Sequence, residues 1–211
     1  MFDEIAFITL VSCIAVYRLL YRYRCKNPES CMRTVIDELH ESWVDARLKE
    51  ENPITAVQAL RNMLMACSIF ITSTLILLGL LVGALAPFLS DDTPFLGIQA
   101  ITAGTIKSGT IVAAVFVSAF CFIMAARLAT RASMLVTAKP GSVDLGDELS
   151  GIHVTRTTFK SMQKYWMLGV RSMLYMLAAV AWLVSPFLFM TLVIVMTVYL
   201  IWFQDVWSAK K

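Results

Sequence analysis

The 38 residues from Trp166 to Phe203 contain a single charge, Arg171, and a single proline, Pro186. Wound into one straight helix, such a run would reach about 57 Å. The hydrocarbon core of a bilayer is only about 30 Å thick. Half of the rod would then stand in water, so the chain has to turn back or bend sharply at Ser185-Pro186. Composition agrees with a membrane home: 58% of the 211 residues are hydrophobic and 16% are charged. Soluble domains average about 45–50% apolar and about 25% charged. No room remains for a separate soluble enzyme domain, and nothing in the chain calls for nucleic acid.

Five apolar stretches predict an all-α integral membrane protein, a bundle of about five transmembrane helices in a single domain over 1–211. The spans are expected at about 5–20, 63–86, 110–126 (with a backward extension from Gly97), 166–184 and 187–203. The alternative is four spans with a long, Pro-bent last helix. The first stretch begins with Asp3-Glu4 and is followed by arginines, the reverse of a cleaved signal, so it reads as a retained helix. Between it and the second span, Asn27-Pro28 reads as a cap with proline at the first helical position. Met32, Val35, Ile36, Leu39 and Trp43 then recur at helical spacing. A cytoplasmic amphipathic helix is expected there, at about 28–50. Asn52-Pro53 repeats the start device, and Lys139-Pro140-Gly141 with Asp144, Gly146, Asp147 and Glu148 reads as a turn-rich loop.

Charge sets the orientation. Eight of the eighteen basic residues lie from Arg18 to Arg61 and six from Arg127 to Lys164, and such segments stay in the cytoplasm. The N-terminus and Asp91-Asp92 then face outward, and with five spans Lys210-Lys211 lie inside. A prokaryotic plasma membrane is the expected location.

The second span carries the main functional candidates. Gln58, Arg61 and Asn62 stand at its approach. Met65, Ser68, Thr72, Gly79 and Gly83 then follow on one helical face, with Ser73 and Thr74 beside it. Lipid would leave such polar groups unpaired, so the face is expected to meet protein or water. Gly79 and Gly83 have the spacing for close helix approach. The hydroxyls have the chemistry to line a pore. In the third span Ala114, Ser118, Cys121 and Ala125 form a small-residue row. Arg171 and Tyr175 sit one turn apart in the fourth, with Trp182 and Pro186 as packing residues beyond them. Arg61, Arg127 and Arg171 either snorkel to anionic head groups or form a positive cluster.

All fifteen acidic residues fall at 3–4, 29–51, 91–92, 144–148 and 205. None lies inside an expected span, which argues against a proton- or sodium-coupled transporter. The five cysteines include no CxxC pair, and no HExxH, GxSxG or P-loop pattern is present. No metal, cofactor or enzymatic activity is expected.

The string Val57-Gln58-Ala59-Leu60-Arg61-Asn62, with Ser68 and Thr72-Ser73-Thr74, resembles the core signature of the membrane family known as domain of unknown function 599. Lys107, Ala126-Arg127, Gly169, Arg171, Tyr175, Ala181-Trp182, Ser185-Pro186 and Asp205-Val206-Trp207-Ser208 extend the resemblance over about 43–208. Trp202 and Gln204 depart from it, standing where that family tends to be basic. The resemblance implies a small multispan bundle found in prokaryotes and plants, and points again to Gln58, Arg61, Asn62, Arg171 and Trp182. It implies no particular activity. The residues favour a homo-oligomer giving a small inorganic ion a passive route through the bilayer. A structural or anionic-lipid-binding module is the second reading and a secondary transporter the third.

Overall fold

A computed structural model describes residues 2–24, 32–49, 53–89, 94–95, 98–138 and 150–205. The elements run α1 (Phe2–Arg24), α2 (Met32–Leu48), α3 (Ile54–Leu89), β1 (Pro94–Phe95), β2 (Ile98–Thr102), α4 (Ala103–Thr137), α5 (Gly151–Ala181) and α6 (Pro186–Tyr199). A π-helical segment, Leu200–Asp205, continues α6. The Asn27-Pro28 cap, Asn52, Gly97, the Asp91-Asp92 and Lys139–Glu148 loops and Lys210-Lys211 lie outside the described residues.

Three of these helices are long and apolar enough to cross a membrane, over Phe2–Tyr23, Ile54–Pro87 and Ala103–Thr137. α3 and α4 have 36 and 35 residues, or about 54 and 52 Å. Each overruns the lipid-sized span expected from its apolar core, because residues such as Gln58 and Arg131 continue the helix without needing lipid around them. The backward extension of the third span from Gly97 is corrected. Ile98–Thr102 is a strand, paired antiparallel with β1 through an irregular register. α4 begins after it because Thr102 caps it, its Oγ1 accepting the Thr105 N–H at 3.2 Å.

The chain divides into two compact units. Unit 1 comprises Met1–Val35, Leu75–Ser118 and Val170–Lys211; unit 2 comprises Ile36–Thr74 and Ala119–Gly169. In unit 1, Ala6 and Leu10 of α1, Leu81 and Leu85 of α3, and Ile111 and Val115 of α4 share one core. Met176, Ala178 and Ala179 of α5 and Phe189 and Val193 of α6 complete it. Its alanines matter, since helices in lipid gain from close van der Waals approach rather than from leaving water.

Pro186 decides how α5 ends. The residue before a proline is pushed out of the helical region, and Ser185 is extended at φ −159, ψ 136. Trp182, Leu183 and Val184 close tight turns onto the carbonyls three residues back, and Pro186 starts α6. The chain then reverses. Tyr175 and Thr197 are 22 residues apart, yet their hydroxyls lie 3.0 Å from each other. A continuous helix would separate them by about 33 Å. The Trp182 and Phe189 rings stack at 4.4 Å across the corner.

Unit 2 has its own core, in which Val44 of α2, Leu60 of α3, Ala129 and Ala132 of α4, and Phe159 and Met162 of α5 are buried. The apolar stripe read along α2 needs correction. Leu39 is exposed at 64%, whereas Val44 is buried at 2%. α2 therefore packs through Val44 and Trp43, the latter stacked on Phe159 at 5.4 Å, and not through Leu39. In a second cluster Phe122 stacks on Phe70 at 4.8 Å, and Trp166 meets both rings edge-on.

Candidate functional site

α3 buries Ala56, Leu60, Cys67, Thr74, Leu81 and Leu85, spaced by four and seven residues and so on one face. The polar candidates lie on the other side. Gln58, Arg61, Asn62, Ser68, Thr72 and Ser73 are all exposed in the single chain. Their hydroxyl chemistry differs from the expectation that lipid would leave them unpaired. Ser68 Oγ donates to the Leu64 carbonyl at 3.0 Å, and Thr72 Oγ1 donates to the Ser68 carbonyl at 2.9 Å. Both hydroxyls are satisfied within their own helix, a habit of Ser and Thr at such positions. Gly79 and Gly83 are exposed too, and a Cβ built on either meets nothing within 4 Å. Neither glycine brings two helices of one chain together. The α4 row differs, with Ser118, Cys121 and Ala125 buried and Ala114 half-buried.

Unit 1 gathers candidates from three helices. Arg171 of α5 lies over the rings of Tyr17 and Tyr21 of α1, at 5.8 and 5.9 Å from their centroids. Tyr17 and Tyr21 are four residues apart, so one helical face offers both rings to one guanidinium. Such a contact contributes from about 0.5 kcal/mol when exposed to about 2 when desolvated. Arg171 is half-buried, and the two rings give a cation on an apolar helix somewhere to rest. One turn on, Tyr175 shares its hydroxyl with Thr197, which in turn donates to the Val193 carbonyl at 2.7 Å.

A second polar cluster was not foreseen. Asp3 Oδ1 lies 2.9 Å from Lys107 Nζ, and the same oxygen accepts the Trp182 indole N–H at 2.9 Å. The side chains of Lys107 and Asp3 are 12% and 24% exposed. Because α1 starts at Phe2, Asp3 and Glu4 fall in its first turn, so a helix of membrane-crossing length does carry carboxylates. Asp3 is not simply an outward acid. It joins the first turn of α1 to the start of α4 and to the corner after α5. The one hint in the sequence was Lys107, the lone basic residue between two apolar runs.

In unit 2 the acids of α2 are engaged by α5. Asp45 receives Arg156 through Nε and Nη2 at 2.6 and 2.7 Å, and Glu41 receives Lys160 at 2.9 Å. The hydrogen bond that Arg156 donates to Asp45 raises the Arg156 pKa above its ordinary value, and the bond to Glu41 does the same for Lys160. Cys13, Cys67 and Cys121 are free thiols. Among the described residues no three His, Cys, Asp or Glu side chains are grouped to hold a metal ion.

No curated protein and no solved structure matches the chain. A family does, and it spans α1, both units and the α5–α6 reversal, with every candidate residue above except Asp3 inside the match. By that match over residues 5–209, the chain belongs to the family described as "Protein of unknown function, DUF599".

Proposed function

We propose that the protein is an integral membrane protein with five crossings, made by α1, α3, α4, the later part of α5, and α6. Its N-terminus faces outward and its C-terminus the cytoplasm of a prokaryotic cell. Copies of the chain assemble around a shared axis faced by α3, and a small inorganic ion passes there without coupling to a second solute. One observation supports this reading above the rest: the polar residues of α3, from Gln58 to Ser73, are exposed on a single subunit. A pore on a symmetry axis needs its lining on the subunit surface. Thr72 and Ser68 keep lone pairs for a passing ion even while they donate to their own helix.

The test is ion flux from liposomes holding the purified protein, with cations and anions replaced in turn. Thr72→Val keeps the shape and removes the hydroxyl, so it should change conductance or selectivity while sparing assembly. Gly79→Leu and Gly83→Leu should disturb assembly if copies meet there. A strict monomer, or flux no greater than in protein-free liposomes, would refute the proposal.

A second reading has its own support. Hydroxyls satisfied by their own helix can face lipid at little cost, and Arg61 and Arg127 are exposed. On that reading the protein is a structural or anionic-lipid-binding module, with the arginines on phosphate head groups. A monomer with no flux that is stabilised by anionic lipid would establish it.

A further inference from the structure

We infer that unit 2 contains a binding site for one acyl chain of a membrane lipid, lined by α2, α3 and α5. These helices line an open-sided cavity of about 380 Å³ whose walls include Trp43, Leu60, Met63, Phe159 and Met162. His40 and Gln163 supply its polar atoms, and no lining side chain is a carboxylate, lysine or arginine. Of the charges nearby, Asp45 pairs with Arg156 and Glu41 with Lys160, and Arg47 rests over the ring of Trp43. A charged soluble ligand would find no counter-charge in the walls.

The cavity has an aromatic side. Phe159 forms its aromatic wall, stacked on Trp43 and met edge-on by His40 at 5.8 Å. Two surface ion pairs also tie α2 to α5 beside it. Size then selects the occupant. A single helical turn is about 10 Å across and about 5.4 Å high, roughly 420 Å³, so a helix from a second copy would fit by no more than one turn. The space corresponds to about a dozen water volumes, and a methylene group takes about the same room as a water molecule. A flexible chain of about twelve carbons fills it. Leu60 and Met63 belong to the run Ile54–Pro87 that is long and apolar enough to cross a membrane, and acyl chains are the abundant apolar solute beside such a helix. The inference rests on the membrane placement of α3 and is independent of ion conduction.

The test uses the full chain in phosphatidylcholine bilayers doped with phosphatidylcholine carrying a diazirine midway along one acyl chain. After photolysis, adducts are mapped by mass spectrometry. Adducts are expected on Trp43, Met63, Phe159 or Met162. Ala59, an exposed residue at the edge of the cavity, offers a plug: Ala59→Phe should cut those adducts by about tenfold, equivalent to about 1.4 kcal/mol of lost affinity. Labelling at the outward residue Ile69 should stay unchanged and serve as the internal reference. Substituting a diazirine phosphatidylglycerol should give the same cavity labelling, since the walls carry no charge. Adducts confined to outward residues, or a strong preference for phosphatidylglycerol, would each overturn the inference. Should Ala59→Phe fail to fold, the wild-type adduct map decides alone, because lipid around the outer surface does not need to reach Trp43.

Discussion

Gly169 is the residue whose replacement follows most directly from measured geometry. It is buried on α5, and a Cβ placed there would lie 2.9 Å from Phe122 Cε1 and 3.1 Å from Cδ1 and Cζ. A ring can usually swing aside, but this one is fully buried, stacked on Phe70 and met by Trp166. Moving it disturbs two aromatic pairs, each contributing about 0.5–1.5 kcal/mol. Overpacking a core costs about 1–3 kcal/mol, and replacing helical glycine by alanine returns about 0.8–1.0 kcal/mol in propensity. Gly169→Ala should therefore destabilise by about 1 kcal/mol, with an upper limit of about 2. Unfolding in mixed micelles, followed by tryptophan fluorescence, measures it. Phe122→Leu removes ring atoms at the contact, so the alanine should cost less when added to that variant than to wild type. A Gly169→Ala protein about 1 kcal/mol more stable than wild type would mean that propensity alone operates and the close approach is not there.

Asp3→Asn leaves Lys107, only 12% exposed, without its counter-charge, and should cost about 1–3 kcal/mol, less than the 3–5 of a fully buried pair because Asp3 retains some solvent. Adding Lys107→Met should recover part of that loss in the same unfolding assay, and an additive result would deny the pair. Tyr175→Phe should cost about 0.5–1.5 kcal/mol by leaving Thr197 its backbone bond alone, and adding Thr197→Val should cost little more. On the surface of unit 2, a double-mutant cycle on Asp45 and Arg156 should give a coupling of about 0.2–1 kcal/mol that shrinks with salt. For Lys160, the pKa is raised in the fold, so its contribution is complete below the ordinary lysine pKa and is lost only as pH rises through the higher folded value. Stability between pH 6 and pH 9 should accordingly be flat for Lys160→Met relative to wild type.

What could be read from the sequence is what acts locally. Pro186 forces Ser185 out of the helix whatever surrounds it, so the break in the long apolar run was visible, and the row of Ser68, Thr72, Gly79 and Gly83 marked one face of α3. Helix ends were less visible. Apolar runs report where lipid-compatible residues stop, not where hydrogen bonding stops, and so α3 and α4 run past them. The strands at Pro94–Phe95 and Ile98–Thr102 are too short to show a period. Least visible were the clusters joined across the chain. Asp3 reads as a surface acid until Lys107 and Trp182 are placed beside it, 104 and 179 residues away. Arg171 shows its charge but not Tyr17 and Tyr21, and no helical period tells whether the face bearing Ser68 and Thr72 meets protein, water or lipid.

The 179 residues between Asp3 and Trp182 also set a timetable. A ribosome adds about 5–20 residues per second, so about 9–36 s pass between the emergence of the carboxylate and that of the indole whose hydrogen bond it accepts. Throughout that interval α1 must persist beside the translocation machinery with neither Trp182 nor its α6 neighbours made. Formation of α1 and its final seating are separate events, and the later α5–α6 hairpin is the one that completes the packing of α1.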